Sequence, residues 1–161
     1  MSNQYSPTQN LTHTITVDQT PEEAFAAINN VRAWWSGDIE GPTANLGDEW
    51  TYRYKDIHYS RQRITESIPG KKVTWLVLDS TLNFVEDKTE WNRTRITFEI
   101  APVNGKTQIV FTHAGLTSAD QCFNGCNSAW GSYINNSLRS LIASGKGQPN
   151  PKESPRATAA A

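Results

Sequence analysis

Hydrophobic and polar positions alternate clearly at the start of the chain. Over residues 11–17, Leu11, His13, Ile15 and Val17 alternate with Thr12, Thr14 and Thr16, the period of a half-buried strand. A helix start follows. Thr20 is a suitable cap, Pro21 fits the first helical turn, and Glu23 stands three residues after the cap to complete a capping box. Ala24, Phe25 and Ile28 give this helix an apolar face, and residues 29–35 read as a second short helix or turn ending in Trp34-Trp35. The period then returns to two. Trp50, Tyr52 and Tyr54 share one strand face, with Thr51 and Arg53 on the other. Lys55-Asp56 reads as a turn into a strand of mixed polarity over residues 59–66, and Pro69-Gly70 as the next turn before a nearly continuous apolar strand over 73–78. Residues 79–92 carry no readable period and are expected to be a loop, with room for a short ladder. Ile96, Phe98 and Ile100 form the inward face of the clearest strand, Asn104-Gly105 turns the chain, and Ile109, Phe111 and His113 share a face of the next strand.

The last element reads as a long helix. Ser118 and Gln121 have capping-box spacing. Cys122, Cys126, Trp130, Tyr133, Ser137 and Leu141 recur at steps of three or four, and Ile134, Leu138 and Ile142 widen the stripe. Gly145 is the expected stop. Residues 1–10 are expected to be loose, 11–145 to form one domain, and the Pro-, Gly- and Ala-rich residues 146–161 to be a disordered tail. Strand, two helices, a run of strands joined by short turns and one amphipathic helix together predict an α+β domain with an antiparallel sheet. The final helix then has one large apolar surface to bury against, the concave face of that sheet.

Composition narrows the partners. The 161 residues are 37% hydrophobic and 19% charged with a formal net charge of -1, and no stretch is dense in Lys and Arg, which argues against nucleic acid. No secretory signal pattern opens the sequence and no apolar run approaches a membrane span, so the protein is expected in the cytoplasm. The glycosylation-like triplets at Asn10, Asn92 and Asn135 are then chance matches. Six Trp are a large number for this length, and such residues line either a core or a concave binding surface.

Several stretches resemble a known group. Thr20-Pro21-Glu22-Glu23-Ala24-Phe25 followed by Trp34-Trp35 resembles the opening of the SRPBCC (START-like) superfamily. More narrowly, it resembles the stand-alone relatives of the C-terminal domain of the activator of the Hsp90 chaperone ATPase. Phe111-Thr112-His113-Ala114-Gly115-Leu116 fits the same group, as does the segment from Trp130 through Ser137-Leu138 to Gly145-Lys146-Gly147. The similarity spans residues 11–149. It implies a helix-grip fold of the Bet v-like kind, a curved antiparallel sheet of about six or seven strands around a long C-terminal helix with two short helices after the first strand. It says little about activity, because one scaffold hosts many functions.

Candidate site residues follow from the inward faces. Adjacent helical residues diverge, so one of Trp34 and Trp35 is expected to pack in the core and the other to face a ligand or solvent. His113 is the one inward-aimed histidine the pattern reveals; a hydrogen bond to a backbone carbonyl near Gly115 accounts for it, and a ligand contact is the alternative. Cys122 and Cys126 share a helix face, where packing explains them. Zinc would need four donors and only these two and His113 converge; a redox pair would need closer spacing; a Cys–His nucleophile is the remaining option. Trp130 and Tyr133 lie along the same stripe, with Tyr52, Tyr54, Trp75, Phe98 and Phe111 on the opposite wall. Arg61 and Arg63 sit on a strand with few apolar residues and are either solvated or, if inward, suited to an anion. There is no phosphate-cradling glycine loop, no paired-carboxylate motif and no HExxH sequence.

The expectation is a small hydrophobic or aromatic ligand held in an apolar cavity between sheet and helix by Trp34, Trp35, Tyr52, Tyr54, Trp75, Phe98, Phe111, His113, Cys126, Trp130 and Tyr133. No metal or other cofactor is implied. A chaperone-binding module is the second reading, which the resemblance implies. A cavity enzyme using His113 and Tyr133, cyclase-like in its acid–base chemistry, is the third and has no catalytic motif behind it.

Overall fold

The computed structural model describes residues 10–36, 38–83, 85–86, 88–117 and 123–150. Seven strands among them form one antiparallel sheet: β1 (Asn10–Val17), β2 (Ile39–Glu40), β3 (Glu49–Tyr54), β4 (His58–Ile68), β5 (Lys72–Leu82), β6 (Arg95–Val103) and β7 (Lys106–Thr117). Their spatial order is β1-β7-β6-β5-β4-β3-β2. Consecutive strands neighbour each other, except that β1 closes onto β7. Two register shifts in the β4–β5 ladder place one bulge at Leu78 of β5 and one at Thr65 of β4, which bend the strands and help curve the sheet.

Helix α1 (Pro21–Asn29) begins as the sequence predicts. Thr20 Oγ1 accepts from the Glu23 backbone N–H at 3.1 Å, and Glu23 Oε1 accepts from the Thr20 backbone N–H at 2.9 Å. Helix α2 (Val31–Trp34) is one turn long. The C-terminal helix is built of α3 (Phe123–Ser132), a π-helical segment (Tyr133–Leu138) and α4 (Arg139–Ser144). Its buried positions Cys126, Trp130, Ile134, Leu138 and Ile142 recur every four residues. A regular α-helix would rotate that series off the sheet, since it completes a turn in 3.6 residues. The wider π turn restores the phase. Gly145, at φ 81°, ends the helix with its N–H on the Leu141 carbonyl, as expected.

The structure corrects the sequence reading in several places. Strand β5 runs to Leu82 and takes the first residues of the expected loop. The short strand β2 went unpredicted. The expected cap at Ser118 and Gln121, and Cys122, lie outside the described residues. The tail does not leave the domain at Lys146. Residues 146–150 run back over α2: Gln148 N donates to Ser137 Oγ at 2.7 Å, and Asn150 N donates to the Trp35 carbonyl at 3.1 Å. Gly147 makes this course possible, because a Cβ there would lie 2.2 Å from the Ala33 carbonyl oxygen. Composition suggested disorder, but small residues also suit close docking.

Leu11, Ile15, Ile96, Phe98, Ile109 and Phe111 fill the concave side between β1 and β6. The π segment, α3 and α4 make their main sheet contacts with β1, at one edge. The helix therefore roofs one end of the sheet more fully than the other.

Candidate functional site

At the less covered end lies a cavity of about 340 Å3. Tyr52 and Tyr54 of β3 and His58 at the start of β4 form one wall, and Trp35 and Trp91 flank them. Cys126, Trp130 and Tyr133 close the opposite side. The rim is made by Ile57, which is 41% exposed, by the exposed Gly125 and Ala129 of α3, and by Asn150.

The walls are flat and aromatic. Trp35 stacks on Tyr52 with ring centroids 4.2 Å apart and planes 14° from parallel. Trp91 lies nearly parallel to Trp130 at 5.8 Å and 13°. His58 meets the Trp91 ring edge-on at 4.3 Å. Such offset-stacked and edge-to-face pairs add to the free energy of burial alone.

Both members of the Trp pair are buried; Trp34 packs in the core and Trp35 lines the cavity. Helix α2 is a single turn lying between core and cavity, so side chains that diverge from it still meet protein on both sides. Trp34 turns to the core and donates its indole N–H to the Ile28 carbonyl at 3.1 Å. Trp35 turns the other way, onto Tyr52. Trp34, Trp75, Phe98 and Phe111 are core residues that do not line the cavity.

His113 is also displaced from its expected role. Its Nε2 lies 2.8 Å from Thr94 Oγ1, not on a carbonyl near Gly115. The Thr94 hydroxyl donates its one proton to the Trp91 carbonyl at 2.6 Å, so its oxygen must accept from His113 Nε2–H. The Trp130 indole N–H donates to His113 Nδ1 at 3.2 Å. These contacts fix a neutral imidazole protonated on Nε2. Complete burial, and secondarily the nearby His58, push its pKa down to about 3. His113 thus ties Trp130 to the segment carrying Trp91 and has no nitrogen left for a ligand.

A second inward histidine escaped the sequence reading. His58 is almost wholly enclosed and, unlike His113, lines the cavity; burial lowers its pKa to about 3. The remaining polar groups are hydroxyls and an amide. Asn150 Nδ2 donates to the Tyr133 hydroxyl at 2.6 Å, and the Tyr133 and Tyr52 hydroxyls bond to each other. Burial raises the pKa of both tyrosines, so they stay protonated at neutral pH. Arg61 and Arg63 face solvent and pair with Glu49, whose carboxyl they hold below its ordinary range. Neither serves an inward anion site. Among the described residues no cluster of three or more metal-ligating side chains occurs, and no helix is long and apolar enough to cross a membrane.

The site therefore unites six of the expected residues, Trp35, Tyr52, Tyr54, Cys126, Trp130 and Tyr133, and adds Ile57, His58, Trp91, Gly125, Ala129 and Asn150. Trp91 lay in the stretch without a readable period, and His58 fell between the Lys55-Asp56 turn and the strand expected from residue 59. Asn150 lay in the presumed tail.

A curved antiparallel sheet closed by a C-terminal helix, with the cavity between them, defines a helix-grip protein of the SRPBCC (START-like) class, whose members bind ligands or proteins. Residues 18–143 match the family described as activator of Hsp90 ATPase homolog 1-like protein, and the chain belongs to that family. It is similar to the Aha1 dimer from Colwellia psychrerythraea, with 27% identity, 86% of this chain and 99% of that chain covered, and a TM-score of 0.68. Protein MLL2253 from Mesorhizobium loti shares the fold at 12% identity, covering 83% of this chain and 96% of that one, with a TM-score of 0.66. CalU16 from Micromonospora echinospora shares it at 12% identity, 83% and 74% coverage, and a TM-score of 0.57. No curated protein matches the sequence.

Proposed function

We propose that the protein binds a small hydrophobic or aromatic molecule in this cavity. The observation carrying the proposal is a hollow of about 340 Å3 walled by stacked aromatic rings. Its size lies at the lower end of the roughly 300–1,000 Å3 usual for small-molecule sites, and its few polar groups converge on one side, as such sites require. Titration with a neutral apolar dye should give saturable binding and quench the fluorescence of Trp35, Trp91 and Trp130. Ala129 is exposed at the rim, so Ala129→Phe should fill the mouth and weaken binding at least about tenfold while leaving the unfolding midpoint unchanged. A dye affinity untouched by Ala129→Phe would remove the cavity as the binding site.

A second reading is a chaperone-binding module. The family match and the 27% identity to an Aha1 protein favour it. Its test is the ATPase rate of the chaperone from the same host with and without added protein. An unchanged rate together with no co-elution would end that reading.

A further inference from the structure

We infer that the cavity selects an uncharged aromatic molecule carrying a hydrogen-bond acceptor, such as a ketone oxygen, and that the Tyr133 hydroxyl is the donor that recognises it. This deepens the small-molecule reading above and rests on it.

The absence of charge on the ligand follows from the wall. Among the described residues lining the cavity there is no Asp, Glu, Lys or Arg. An ion buried there would lose its hydration without gaining a counter-charge. The one imidazole in the wall, His58, is held neutral by burial and supplies no cation at neutral pH. The aromatic preference follows from the lining, since Trp35, Tyr52, Tyr54, Trp91, Trp130 and Tyr133 all border the cavity. An aromatic guest can make edge and face contacts with such walls.

The acceptor follows from counting protons. Asn150 Nδ2 donates into the hydroxyl pair formed by Tyr52 and Tyr133. Two hydroxyls carry two protons. Their mutual hydrogen bond uses one, and Asn150, entering as a donor, accepts neither through that nitrogen. One O–H is left to donate outward. Tyr52 is 3% exposed, whereas Tyr133 is only partly buried and its oxygen already accepts from Asn150 Nδ2 at 2.6 Å. We therefore assign the outward proton to Tyr133, in the cavity wall. Tyr133 also opens the π-helical segment, the widened turn that lets the buried series continue beneath the sheet. A ligand oxygen accepting this proton would complete the cluster, with Asn150 acting as the positioning residue that holds the Tyr133 oxygen.

Three probes of one shape separate the terms: 2-acetylnaphthalene, a neutral acceptor; naphthalene, which has none; and 2-naphthoate, an anion at pH 7. Each is titrated by Trp quenching against the intact chain. The ketone should bind about tenfold tighter than naphthalene, the factor one net hydrogen bond supplies, and the carboxylate should bind more weakly than both. Tyr133→Phe should bring the ketone down to naphthalene without affecting naphthalene itself. Tyr52→Phe should preserve the ketone's advantage, because Tyr133 keeps its proton. If the ketone and naphthalene bind equally, if the carboxylate binds tightest, or if Tyr52→Phe but not Tyr133→Phe removes the preference, the inference is overturned while ligand binding stands. If no probe binds, the small-molecule reading itself falls. Unfolding curves of both variants, expected to match the parent, confirm that affinity and not folding is being read.

Discussion

The two ends of the sheet are built to different rules. Under β1, β7 and β6 the inward positions are mostly apolar, including Leu11, Ile15, Ile96, Phe98, Ile109 and Phe111, each at most 1% exposed, with His113 the buried polar member, and the C-terminal helix lies against β1 above them. On β4 the corresponding positions begin with His58, Ser60 and Gln62, opposite Tyr54, Tyr52 and Trp50 of β3, before the row ends in the apolar Ile64. Ser60 and Gln62 are wholly buried, yet Ser60 Oγ and both Gln62 amide atoms have no hydrogen-bond partner among the described residues. Buried polar atoms without partners reduce stability, so a sheet selected for stability alone would carry apolar side chains there. The first end holds the fold together. The second buries polar groups at some cost in stability, and the cavity opens beside it.

Trp130 is where the two ends meet, and truncating it should have the largest effect. Its ring lies 4.6 Å from that of Phe111 on the filled side and 5.8 Å from that of Trp91 on the cavity side. Trp130→Ala should cost about 3–5 kcal/mol in urea unfolding and abolish dye binding in the same variant. The loss has two sources, the cavity left by the ring and the unsatisfied His113 Nδ1. Ile57→Ala, at the exposed rim, should weaken the dye while changing stability by no more than about 0.5 kcal/mol. Equal stability losses in the two variants would erase the distinction between the ends.

Lowering the pH tests both ends together, because each holds one neutral histidine. His58 and His113 have folded-state pKa values of about 3 against an ordinary 6.5. Between these limits the unfolded chain binds more protons than the folded one. Stability from keeping the rings neutral is thus fully present above pH 6.5 and is lost as the pH falls towards 3. The slope should approach about 1.4 kcal/mol per pH unit for each histidine. Denaturation midpoints between pH 7 and 5 lie above the carboxylate range and isolate this effect. His58→Gln should lower the slope from nearly two protons to one. A midpoint flat across that window would mean that neither ring is as enclosed as the structure has it.

The same contrast explains what the sequence could reveal. β1, β6 and β7 were legible because their inward residues are apolar and their outward ones polar, as with Ile96, Phe98 and Ile100 against Arg95, Thr97 and Glu99. The capping box of α1 and the stripe of the C-terminal helix depend on local chemistry and were legible for that reason. In β4, Ser60 and Gln62 alternate with Arg61 and Arg63, so both faces are polar and no period of two appears. Trp91 lies between β5 and β6, and its burial depends on His58 and Trp130, which are distant in sequence. Asn150 joins the site only because Gly147 lets the chain pass close over Ala33. Hydrophobic periodicity records the half of the domain that packs. The half beside the cavity departs from that period, and its residues come together only through tertiary contacts.

The smallest expected effect tests that claim most directly. Gln62 contributes four carbon and amide groups of suitable volume to the interior, but neither Oε1 nor Nε2 is bonded. Leucine has nearly the same size and no polar atoms. If the amide does nothing for the fold, Gln62→Leu removes an unsatisfied buried group and adds apolar burial, so it should stabilise the protein by about 1 kcal/mol. The equivalent exchange at the other end, Phe111→Gln, would place an amide in a filled apolar site and should be strongly destabilising. The sign of the Gln62→Leu change is therefore informative, whatever its size. A gain in stability would show that the β4 side chain is retained for a purpose other than folding, and a concurrent change in ketone affinity would identify that purpose as recognition. A loss of more than about 1 kcal/mol would show that the amide stabilises this end of the sheet, and the division between a packing end and a recognition end would have to be abandoned.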